Sequence, residues 1–238
     1  MSPLRRAIET CLIALDWLIA DGVPIEPDAR WQGMKTPFPS QPYPNPLHPY
    51  SLPPGTIPHL SFLLLAAGIR KANRPPRPPS PNTENYPKPC DTGSPPSVLA
   101  AQFPQVDFSH LDPVYPDKTS PAAALYHCNK DAVIARGEAA LRGLYGREEN
   151  VIVVVSHSGF MRTAVAGRWF ANADWRGFDF VGDRGDEGGQ GWGEKGNERP
   201  MRLRLVEWEM TKGKGGMGRS REERVGWGEG LPEVKELN

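Results

Sequence analysis

The sequence predicts an α/β fold, and three observations carry that prediction. The first is VIVVV at 151–155, an unbroken β-branched run that fits a central parallel strand covered on both faces. The second is the stretch 130–145, where Val133, Ile134, Leu141, Leu144 and Tyr145 fall on one side of a helix. The third is the break after the strand, Ser156-His157-Ser158-Gly159, followed by a second helical stretch at 160–170.

The other elements follow in order. Leu4, Ile8, Leu12, Leu15 and Ile19 recur at helical steps and predict a helix over 3–20, with Ser2-Pro3 as its cap and first-turn pair. Gly22 stops it, and Val23-Pro24-Ile25 reads as a short strand. A short helix is expected over 96–103 and a loop over 104–121. MRLRLVEWE at 201–209 alternates as a strand does, after a Gly-rich loop at 182–199. The tail, 212–238, is Gly-rich and charged, and is expected to be flexible.

One stretch breaks the pattern. Residues 33–83 hold fourteen of the chain's 27 prolines, almost no acidic residues and no sustained period. They read as a proline-rich disordered insertion rather than a ligand for a partner domain. Within it, LSFLLLAAGI at 60–69 is expected to form a short helix. It is too short to span a membrane, which takes about 20 residues.

Composition narrows the function. With 28 Lys plus Arg against 28 Asp plus Glu, the formal net charge is zero, which argues against nucleic acid or another generic polyanion as partner. Cys11, Cys90 and Cys128 are sparse and odd in number, as free thiols in a reducing compartment would be. The start, MSPLRR, leads into an amphipathic stretch and not a signal-peptide core. The expectation is a soluble, cytoplasmic protein with no membrane partner.

His157 is the residue of most chemical interest. In open α/β sheets ligands sit beyond the carboxyl ends of strands, and His157 lies just past one. An imidazole beside the first amides of a helix suits a bound anion, phosphate above all, and Gly159 would let the backbone approach closely. From spacing alone, a histidine that merely caps the strand and bonds a neighbour stands beside this reading. A serine hydrolase centred on Ser158 is disfavoured, because its flanks are Ser156 and Phe160 rather than glycines and no histidine follows it. Cys90, Asp91, His110, His127 and Cys128 lack the spacing of a metal site, and no metal or cofactor is expected.

Several segments together resemble one family. VVVSHSGFMRTAVAGRWFANADWRGFDF (153–180), SPLRRAIET (2–10), PCDTGSPPSVLAAQFPQVDFS (89–109) and MRLRLVEWE (201–209) come in the same order as in the histidine phosphatases. That is the phosphoglycerate mutase-like superfamily, and the likeness is to a fungal-type subgroup. The resemblance implies a three-layer α/β/α sandwich, here missing its first strand, built from 1–32 and 84–211. It implies phosphomonoester hydrolysis through a phosphohistidine, with a phosphorylated small molecule as substrate and no cofactor. Carried over by position, Arg6 matches a phosphate-binding arginine, with Arg5 as the adjacent alternative. His157 matches the pocket histidine that bonds the phosphoryl oxygens without attacking, and Ser158 and Gly159 lie beside it. Glu84 matches the general acid once Gln32 is joined to it across 33–83. That join makes the intervening stretch resemble a translated intron. Lys118, His110 and His127 lie where the family carries specificity, although each also reads as a surface residue.

The family's nucleophile sits in an Arg-His-Gly segment on its first strand. No histidine of this sequence follows an arginine or precedes a glycine. The expectation is therefore an inactive chain, from a truncated gene or a non-catalytic relative that binds phosphorylated ligands or a partner.

Overall fold

In the computed structural model, residues 1–33, 61–66, 92–181 and 203–233 are described. Four strands, β1 (Ser61–Ala66), β2 (Val151–Ser156), β3 (Trp175–Val181) and β4 (Arg204–Glu207), form one mixed sheet in the order β2-β1-β3-β4. β1 runs parallel to β2, pairing Ser61 with Val151 and Ala66 with Ser156. It runs antiparallel to β3, with Phe62 opposite Phe178, and β3 is antiparallel to β4.

The sheet corrects two expectations at once. The apolar patch at 60–69 contributes a strand and not a helix, and this part of the insertion stands inside the sheet. A ten-residue apolar run is short for a helix that holds without tertiary support, and the six residues of β1 are a usual strand length. β3 was not foreseen either, although WRGFDFV alternates between apolar and other residues.

The helices are α1 (Arg5–Ala14), α2 (Asp16–Ala20), α3 (Pro96–Gln102) and α4 (Lys130–Tyr145). The single helix expected over 3–20 breaks at Leu15, whose φ of −124° and ψ of 23° are not helical. Val23 to Ile25 form no strand. α4 begins at Asn129, whose side chain accepts from the Ala132 amide at 2.9 Å. Among the described residues no helix is long and apolar enough to cross a membrane.

Two core clusters meet at β2. Val154 packs in one with Val133, Ala140 and Leu141 of α4. Val155 packs in another with Ala7 and Cys11 of α1. Successive strand residues face opposite sides, so α4 and α1 cover opposite faces of this strand. The fold is mixed α/β.

The expected helix over 160–170 is shorter than its sequence suggests. A single turn, Ser158–Phe160, opens into a wider π-helical turn, Met161–Val165. Gly167, at φ +62°, turns the chain away. The turn packs so closely on α4 that a Cβ at Gly137 would lie 2.1 Å from the Ala164 carbonyl oxygen.

The tail also departs from expectation: its described part, 212–233, is fastened to the domain. The fully buried Asp174 carboxylate accepts from the Met217 amide at 2.8 Å, the Ser220 amide at 2.9 Å and the Ser220 hydroxyl at 2.6 Å. Arg176 of β3 donates to the Gly213 carbonyl at 2.8 Å and the Arg221 carbonyl at 3.1 Å, and pairs with Glu207 of β4 at 2.6 Å. Glycine and charge mark a mobile tail only when the charges face water. Here the groups that fix the tail are in the domain, where a tail's own composition cannot reveal them.

Candidate functional site

The site forms where β2 ends. Ser156, its last residue, donates its hydroxyl to the Trp31 carbonyl at 2.7 Å and so draws the segment 31–33 over the strand end. The Ser2 amide donates to the Val155 carbonyl at 2.8 Å, which brings the start of α1 to the same place. His157 follows and is 6 % exposed.

Both ring nitrogens are engaged. Arg6 Nε, in the first turn of α1, donates to His157 Nδ1 at 3.0 Å. Nδ1 therefore accepts and the ring proton is assigned to Nε2, which donates to Ser2 Oγ at 2.8 Å. Burial, reinforced by the positive charges of Arg6, Lys118 and Arg136, holds the imidazole well below its ordinary pKa of 6.5. It is a neutral ring in cationic surroundings.

Gly33 closes over this pair. A Cβ there would come 3.0 Å from Arg6 Nη2 and 3.1 Å from His157 Cγ. Its carbonyl accepts from Lys118 Nζ at 3.3 Å. Lys118 is presented by a turn in which Asp117 accepts from the Thr119 amide at 2.8 Å and the Ser120 amide at 3.2 Å. Hydrogen bonds from the Ser120 hydroxyl and these amides hold the Asp117 carboxyl well below the usual carboxylate range, so this side chain is ionised and fixed.

The structure thus brings Arg6, His157 and Lys118 together, and leaves other expected residues elsewhere. The Ser158 hydroxyl donates to the Phe170 carbonyl at 2.5 Å; it holds the chain reversal and is not turned to a ligand. The Gly159 carbonyl accepts from the Thr163 hydroxyl at 2.9 Å, inside the short turn. The helical run that Ser158 and Gly159 open is short, one α-turn that passes directly into the π-helical turn Met161–Val165. Arg5 and His110 are exposed, and His127 Nε2 lies 3.0 Å from the Ser120 carbonyl. Glu84 lies outside the described residues. Among the described residues no three His, Cys, Asp or Glu side chains are grouped as a metal would need.

Ser2, Gln32, Gly33 and Arg136 are not among the expected site residues. Ser2 reads as a helix cap, and nothing in its sequence context shows that its hydroxyl serves a histidine far along the chain. Arg136 did leave a signal: it stands three residues after Val133, on the buried stripe of α4, where a charge is out of place. Compared with protein-family models, curated proteins and solved structures, the chain matches none.

Proposed function

We propose that the domain is a histidine-phosphatase-like three-layer α/β/α sandwich that binds a phosphorylated small molecule in the cytoplasm and does not hydrolyse it. The observation that carries this reading is the contact between Arg6 and His157, 3.0 Å apart at the end of β2. A phosphate monoester is close to a dianion at neutral pH, and a planar guanidinium can bond two of its oxygens at once. Lys118 and Arg136 raise the positive potential at the same point.

The state of His157 argues against attack. Its Nδ1 lone pair is taken by Arg6 and its Nε2 carries the proton. A nucleophilic imidazole needs a free lone pair in line with phosphorus. The family resemblance places the attacking histidine in an Arg-His-Gly segment on the family's first strand, which this sequence does not contain. In this chain the strand beside β2 is SFLLLA, which has no histidine.

Isothermal titration of the purified chain 1–238 with inorganic phosphate, alongside an assay with p-nitrophenyl phosphate, tests the proposal. Saturable binding weakened about tenfold by Arg6→Ala, with no turnover above background, is expected. Turnover that disappears in His157→Ala overturns the inactive reading, and the absence of phosphate binding overturns the whole.

A further inference from the structure

Two buried side chains, Arg136 and Gln32, carry polar atoms without hydrogen-bond partners. Arg136 is 1 % exposed, and neither its Nε nor its Nη2 has a partner. Gln32 is 0 % exposed, and both atoms of its amide are unpartnered. Among the described residues no carboxylate pairs with Arg136; what faces its charge is the ring of Phe160, whose centroid is 4.6 Å from Cζ. Burial draws the guanidinium pKa down to about 10, so it is still charged at neutral pH.

Arg136 is near enough for its charge to act on the His157 ring, and Gln32 is joined to the site through its chain neighbours. Phe160 lies three residues after His157, and its ring meets Trp31 edge-on at 6.0 Å between centroids. Gln32 follows Trp31, and Gly33 then abuts His157 and Arg6. Arg6 is only partly buried and Lys118 likewise, whereas Arg136 and Gln32 are sealed. A buried charge without a counter-ion, and a buried amide without partners, are among the costliest features a fold can keep. Folds keep such features where a ligand completes them.

We propose that Arg136 and the Gln32 amide form the inner wall of the pocket and bind the oxygens of a bound phosphoryl group, with Arg6 and Lys118 holding it at the outer side. The assignment rests on the phosphate-binding reading above. It gives the pocket three cations and one neutral donor for a tetrahedral dianion, and it gives Arg136 a counter-ion that none of the described residues supplies.

Thermal unfolding of the full chain, with and without inorganic phosphate, tests this in wild type, Arg6→Ala, Arg136→Met and Gln32→Leu. Phosphate is expected to raise the wild-type Tm. Arg136→Met is expected to have a higher Tm than wild type without phosphate, because an unpaired buried charge is gone, and to bind phosphate about tenfold more weakly. Gln32→Leu is expected to act in the same two directions, with about threefold weaker binding. If Arg136→Met is unfolded, Arg136 is a structural residue and the inference is wrong. If both variants respond to phosphate as wild type does while Arg6→Ala does not, this inference fails and the proposed function stands. If wild type itself shows no phosphate response, the proposed function falls with it.

Discussion

Arg6 and His157 are 151 positions apart in the chain, yet Nε of one donates to Nδ1 of the other at 3.0 Å. The opposite edge of the same ring meets Ser2 Oγ at 2.8 Å. Both partners come from the start of α1, so one short segment fixes the plane and tautomer of the imidazole. The site is a junction between the first helix and the end of β2, and its parts stand or fall together.

Ser2→Ala tests the junction. Ser2 is fully buried, and its hydroxyl accepts from the His157 ring and from the Leu4 amide at 3.3 Å. The substitution leaves two buried donors without an acceptor, which costs about 1–3 kcal/mol. Urea unfolding should show a lower midpoint with an unchanged m-value. A change within about 0.3 kcal/mol would mean that the ring is not held this way.

The pH dependence of stability has a definite sign. Unfolded, the imidazole titrates near its ordinary 6.5; folded, burial and the charges of Arg6, Lys118 and Arg136 hold it well below that value. As pH falls through 6.5, the unfolded chain takes up a proton that the native chain refuses. Stability is therefore lost on acidification, by up to about 1.4 kcal/mol per pH unit, until the native ring also protonates. Above that window His157 contributes no slope. His157→Gln keeps a donor and an acceptor and does not titrate, so its stability should fall less steeply between about pH 7 and about pH 5. Equal slopes in the two proteins would refute the depressed basicity.

Much of the fold was legible because its signals are local. α4 and β2 follow from a helical stripe and a β-branched run, and they lie where the sequence places them. Arg6 and His157 were found through the order of segments, and the structure brings them into contact. What escaped depends on distant partners. β1 is a six-residue apolar run set among prolines, and only pairing with β2 and β3 decides that it is a strand. The tail looked mobile because Asp174 and Arg176, which hold it, lie before the Gly-rich loop. Ser158 looked like a ligand group because sequence cannot show that Phe170 claims its hydroxyl.

Asp174 is the latch of the tail. Its carboxylate accepts the amides of Trp175, Met217 and Ser220 and the Ser220 hydroxyl. Asp174→Ala removes a charged acceptor from several buried donors, and a loss of about 3 kcal/mol is expected. The tail should come loose before the domain does, so trypsin should cut first near Lys212, Lys214 or Arg219. Unchanged cleavage in this variant would show that the tail is held by other contacts.

The position of β1 has the largest consequence for the fold. With β2 on one side and β3 on the other, β1 is an inner strand, and its backbone carries both pairings. Proline has no amide hydrogen and is tolerated almost solely at sheet edges, so Leu63→Pro should destabilise the domain by about 3 kcal/mol or more. Deleting 34–83 should do more, because it removes the strand and leaves β2 and β3 without a neighbour between them. The deletion variant should lose its near-ultraviolet circular dichroism and its cooperative unfolding transition. If it instead keeps both, and Leu63→Pro is as stable as wild type, then 61–66 lies outside the sheet. The sequence's appearance of a foreign insert would then be the better description of the whole stretch.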